Sequence, residues 1–66
     1  MTNFEVYRKR GRHWEFLCVY TLMKDSNEAA RRTSYVYNLK VVGVRPEGSR
    51  DKILVYRFQY VAGITG

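Results

Sequence analysis

Cys18 is the only cysteine and His13 the only histidine in 66 residues, so the chain must fold without an internal disulfide and without a tetrahedral zinc site. A chain this short buries only about 60% of the surface that its unfolded form exposes. Below roughly 70–80 residues one core rarely supplies more than about 3–5 kcal/mol, and the supplement left to this chain is association with a partner or a second copy. The length predicts a single domain over residues 1–66, with 62–66 as a flexible tail.

An apolar content of 45%, with 15% aromatic, is too high for a disordered chain. No run approaches the ~20 apolar residues that span a bilayer, and Met1-Thr2-Asn3-Phe4-Glu5 lacks the basic-then-apolar order of a signal segment. With a lone thiol suited to a reducing compartment, this predicts a soluble cytoplasmic protein with no membrane partner.

Hydrophobic periodicity sets the element order. Phe4, Val6 and Arg8 alternate with Glu5, Tyr7 and Lys9 as in a strand, Arg10-Gly11-Arg12 reads as a tight turn, and Trp14 to Met23 resumes as a second strand. Strict alternation there puts Trp14, Phe16, Cys18, Tyr20 and Leu22 on one face and Leu17, Val19, Thr21 and Met23 on the other. Two apolar faces suit an interior strand, or one whose second face is covered. Asp25 or Ser26 caps a helix with Glu28 in capping-box relation, and from Ser26 to Asn38 the residues Ala29, Thr33, Val36 and Tyr37 form its apolar stripe. Val41 to Arg45 is a third strand, Pro46-Glu47-Gly48-Ser49 a turn, and Ile53 to Val61 a fourth strand with Leu54, Tyr56, Phe58 and Tyr60 on one face. The predicted class is α+β: ββαββ, an antiparallel four-stranded sheet with one helix packed on one face. One short helix leaves the other face, rich in aromatic residues, to solvent or a partner.

Two constellations point to binding. Arg8, Lys9, Arg10, Arg12 and His13 crowd the hairpin tip with no carboxylate among them, and a net charge of +6 favours polyanions or acidic protein surfaces as partners. Arg31, Arg32, Arg45, Arg50 and Lys52 extend this cluster if they share its side. The aromatic face, with Tyr56 and Tyr60 and with Tyr35 on the neighbouring helix, suits stacking of unpaired bases. Ordinary packing, a solvated turn and a homodimer interface explain the same features. For chemistry the inventory is poor: His13 and Glu15 could touch, but no carboxylate pair, Gly-rich phosphate loop or metal cluster appears, so neither an enzyme nor a cofactor is expected.

Phe4-Glu5-Val6-Tyr7, Gly11, Trp14-Glu15 and the helix start Glu28-Ala29-Ala30 resemble small ββαββ proteins of bacteria and their phages, over about residues 4 to 60. The resemblance is architectural and includes phage anti-CRISPR inhibitors, short non-enzymatic proteins that occupy the nucleic-acid-binding surface of a Cas complex. It implies a protein or ribonucleoprotein partner. Many such inhibitors are acidic and imitate DNA, whereas this chain is basic, which would imply docking on an acidic or guide-RNA-exposing part of a Cas effector. Bacterial accessory subunits with a Trp-containing hairpin before an Ala-rich helix are similar too. The alternatives are a single-stranded nucleic-acid-binding module and a small dimerising subunit.

Overall fold

Gly11 has φ +60 and, with Arg12, forms the two-residue connection of the first hairpin. A glycine in the left-handed region at the first central position is what a II′ turn requires. In the computed structural model, which describes residues 1–59, this turn joins β1 (Thr2–Arg10) to β2 (His13–Met23). The chain continues through α1 (Ser26–Tyr37), β3 (Val41–Pro46) and β4 (Leu54–Arg57). The four strands form one antiparallel sheet in the order β2-β1-β3-β4, with α1 on one face. The fold is therefore the α+β ββαββ arrangement that the periodicity predicts.

Residues at both ends of the helix fix its limits. The Glu28 N–H donates to Asp25 Oδ1 at 2.9 Å, and the Glu28 carboxylate accepts from the Lys24 N–H at 3.2 Å, which satisfies donors that the first turn leaves free. At the other end Asn38 takes a left-handed φ of 59, and the Leu39 N–H returns to the Ser34 carbonyl. The buried stripe is Ala29, Ala30, Thr33 and Ser34, not the predicted line through Val36 and Tyr37, which are exposed. Small side chains win because they let the helix axis approach the sheet. Their two hydroxyls stay satisfied, Thr33 Oγ1 donating to Ala29 O and Ser34 Oγ to Leu39 O.

The core between the layers is small: Phe4 and Val6 from β1, Val42 and Val44 from β3, and the two alanines, flanked by Leu17, Cys18, Tyr20, Tyr56 and Phe58. Leu17 and Cys18 both pack here because β2 carries a bulge. Val6 pairs with Cys18 but Tyr7 pairs with Phe16, leaving Leu17 as the extra residue. The predicted single face from Trp14 to Leu22 is thereby broken. Cys18 and Tyr20 face the helix, whereas Trp14 and Phe16 lie beside Lys9 and Tyr7 on the open side. A second irregularity, between Thr2 and Phe4 on β1, leaves Leu22 with φ 58, its N–H held by Asn3 Oδ1 at 3.0 Å. β2 is also an edge strand and not an interior one. Its second apolar face is explained by the change of side at the bulge.

The open side has its own packing. A Cβ built on Gly43 would lie 2.6 Å from Ile53 Cγ2 and 2.9 Å from Trp14 Cζ3, so the missing side chain makes the space in which Ile53 and the Trp14 ring meet. Ile53 precedes β4 rather than belonging to it, and the predicted strand to Val61 is seen only as Leu54–Arg57. Tyr60, Val61 and the predicted tail 62–66 lie outside the described residues.

This geometry predicts the sign of Gly43→Val. Strand propensity alone would favour valine by up to about 1 kcal/mol, but overpacking a filled site costs about 1–3 kcal/mol. Thermal melting followed by circular dichroism should show a melting temperature lowered by several degrees, with Gly43→Ala affected less.

Candidate nucleic-acid interface

The register gathers like charges at one end of the sheet. β1 ends, β2 begins, β3 begins and β4 ends on the side of the first hairpin, which places Arg8, Lys9, Arg10, Arg12, Lys40 and Arg57 at that end, with Glu15 as the only acidic side chain there among the described residues. The other five acidic side chains, Glu5, Asp25, Glu28, Glu47 and Asp51, sit at or near the opposite end. Most of these carboxylates are already bonded within the fold: Asp25 and Glu28 at the helix start, Glu47 to Asn3 Nδ2, and Glu5 in the network described below. The chain is an electric dipole whose positive pole is the hairpin.

The tip is partly tied together. Glu15, across from Arg8 in the ladder, accepts from Arg8 Nε and lies 3.9 Å from Arg10 Nε. Its partners are the two arginines, so the His13–Glu15 contact that their spacing allows is not made. Lys9 Nζ lies 4.7 Å from the Trp14 ring centroid, a cation–π contact that orders the long side chain. Lys9, Arg10, Arg12 and His13 are exposed, and Arg8 is half-buried.

Other predicted residues distribute differently. Arg31 and Arg32 are exposed in the middle of α1, one turn before Tyr35, which is 58% exposed. Arg50 and Lys52 lie in the β3–β4 loop at the far end, and Arg45 is bonded to Glu5, so these three do not extend the tip cluster. Lys40 and Arg57 do, and sequence spacing gave no sign of it because only the strand order brings them there. Tyr56 packs against the core on the helix side, its hydroxyl bonded to Ser26 Oγ. It is therefore not part of an open-face platform, and Tyr60 lies outside the described residues. The open face presents Phe16, 53% exposed, with its ring 5.6 Å from a largely buried Tyr7 in an edge-to-face contact.

Beside these rings lies the densest polar network of the fold. Arg45 Nη2 donates to Glu5 Oε1 at 2.9 Å and to the Tyr7 hydroxyl at 2.7 Å, the Tyr7 hydroxyl donates to Glu5 Oε1 at 2.6 Å, and the Gly48 N–H donates to Glu5 Oε2 at 3.2 Å. The hydrogen bonds from Tyr7, Gly48 and Arg45 hold the Glu5 carboxyl below the usual carboxylate range. Burial, helped by Glu5, pushes the Tyr7 phenol up. On the helix side, burial and then the neighbouring Cys18 thiol raise Tyr20, and Cys18 also raises Tyr37. None of these groups faces a carboxylate–imidazole or thiol–imidazole partner, and among the described residues no group of three or more His, Cys, Asp or Glu could hold a metal ion. No helix among the described residues is long and apolar enough to cross a membrane.

Comparison with known proteins finds no matching family, curated protein or solved structure.

The Glu5 network carries a pH signature. A carboxyl with a lowered folded pKa stabilises the fold above its unfolded pKa of about 4.3, and that stabilisation is lost as pH falls through the folded value. Glu5→Gln should therefore melt below the parent at pH 7, and the two should converge in strong acid. Thermal melts at pH 7, 4 and 2.5 check this; a constant gap across that range would deny the carboxylate its role.

Proposed function

We propose that this protein is a non-enzymatic binding module that docks through its cationic hairpin end on a nucleic-acid-handling complex. The observation that carries the reading is the charge segregation. Among the described residues, six Lys and Arg side chains stand at one end with a single acidic side chain, Glu15, which makes a concentrated field that draws phosphate-rich partners. Among the described residues, Phe16 offers a half-exposed ring on the open face while Trp14 is covered by Lys9 and Ile53, so base stacking contributes less to this reading than the charges do. Phosphate contact is thus the main mode of recognition.

The finer form of the proposal is a phage-encoded inhibitor of a Cas effector. It rests on the ββαββ resemblance. A second reading, a dimerising subunit, draws on the apolar exposure of Phe16 and Val55, which are 53% and 43% exposed on the sheet's open side.

Ultraviolet crosslinking in cells that express the chain tests the general proposal. Arg10→Glu with Arg12→Glu should abolish recovery of crosslinked nucleic acid, while Arg50→Glu with Lys52→Glu at the far end should leave it intact. Both pairs are exposed, and such charges change stability by only about 0–1 kcal/mol, so circular dichroism should show a folded protein in each case. Restored plating of a targeted phage on a CRISPR-carrying host tests the finer form, and sedimentation tests the dimer.

A further inference from the structure

From Phe16 to Met23 the edge strand β2 carries no charged residue and no proline, the residues that ordinarily blunt a sheet edge. Among the described residues no strand pairs with its outer side, and residues 60–66 continue from β4 at the opposite edge. The ladder decides which backbone groups this edge offers. Arg10 and His13 flank the two-residue turn as a hydrogen-bonded pair, so alternation directs Arg8, Val6 and Phe4 toward β2, opposite Glu15, Cys18 and Tyr20. The N–H and C=O groups of Val19 and Thr21 therefore point outward. Beside them Phe16, Leu22 and, on α1, Tyr37 next to the Cys18 thiol are all exposed, so the edge is unpaired in backbone and apolar in side chains.

A second copy of the chain fits this edge. The two irregularities of β2, at Leu17 and at Leu22, bracket Val19 and Tyr20. Antiparallel pairing about a two-fold at Val19 sets Cys18 against Tyr20, Leu17 against Thr21 and Phe16 against Leu22, so no charged residue lines the seam between them. Charge selects the same orientation. It carries the two cationic hairpins to opposite ends of the joined sheet and brings Arg12 and His13 of each copy level with Ser26 and Asp25 at the helix start of the other. Parallel pairing would set hairpin beside hairpin, like charge against like.

We propose that two copies pair antiparallel through the β2 edge, about Val19, into one continuous sheet with both helices on the same side. This goes beyond the docking function proposed above and does not depend on it. It differs from a dimer through the open side, in which Val55 takes part. Pairing at β2 also supplies the association that a chain with so small a core, and with no disulfide to close it, otherwise lacks.

Sedimentation equilibrium of the full chain and two variants tests this. The parent should be a dimer at micromolar concentrations. Thr21→Lys, at an exposed position, places like charges close to the two-fold and should raise the dissociation constant at least about tenfold, with an unchanged circular dichroism spectrum. Val55→Lys should leave the dimer as it is. In a Cys18→Ser background, Val19→Cys should form an intermolecular disulfide under mild oxidation, because residues directly opposite in an antiparallel pair lie about 4.5–5.5 Å apart at Cα. Val55→Cys in the same background should not. A monomer at every concentration up to the millimolar range overturns the proposal, as does a dimer that Thr21→Lys leaves intact. A dimer lost on Val55→Lys but kept on Thr21→Lys moves the interface to the open side, and a dimer that responds to Thr21→Lys without forming the disulfide overturns the register at Val19.

Discussion

One helix of small buried residues can cover one side of a four-stranded sheet, and the other side must be finished by the sheet itself. The bulge at Leu17 makes that division work. After the bulge, Cys18 and Tyr20 join Phe4, Val6, Val42 and Val44 under the helix. Before it, Trp14 and Phe16 join Tyr7 on the far side. Each buried valine or phenylalanine contributes about 1.5–3 kcal/mol, and a core with so few of them leaves little margin. The second cluster over Gly43 therefore matters to stability as well as to the surface that the protein presents.

Much of this was legible. The alternation in β1, the cap at Asp25 with Glu28, and the turn chemistry at Gly11 and Gly48 all act within a few residues of sequence, and the elements they define are present. What escaped reading was non-local. A bulge has no reliable mark in one strand's sequence, since it exists only relative to a partner, and strict alternation puts Trp14 and Phe16 on the same face as Cys18 and Tyr20. Apolarity points to Val36 and Tyr37 for the helix stripe, whereas closeness of approach favours Ala30 and Ser34. Strand order was equally hidden, and with it the placement of Tyr56 under the helix and of Lys40 and Arg57 beside the tip. The basic cluster itself was visible, but its bond to Glu15 was not, because Glu15 lies outside the run and meets it only across the hairpin.

The use of acidic residues explains how a modest net charge becomes a strong local one. A carboxylate that caps a helix or ties Arg45 to Tyr7 is held where the fold needs it, away from the hairpin. The cations carry few such duties. Arg8, Arg10 and Arg45 are the only Lys or Arg side chains in ion pairs among the described residues, so the remainder stay available to external anions. Structural demand for carboxylates at one end and the excess of cations over Glu15 at the other together produce the polarity.

The central place of β1 has a kinetic side. Its pairing with β2 closes over a two-residue turn and forms early and locally, but its other edge waits for β3, with Phe4 opposite Pro46 and Glu5 opposite Arg45. Closing such a long loop costs entropy before any contact repays it. Until the third strand arrives, the nascent hairpin exposes one unpaired edge along β1. The Glu5–Tyr7–Arg45 clasp spans that late seam, so it forms only once β3 has docked on β1.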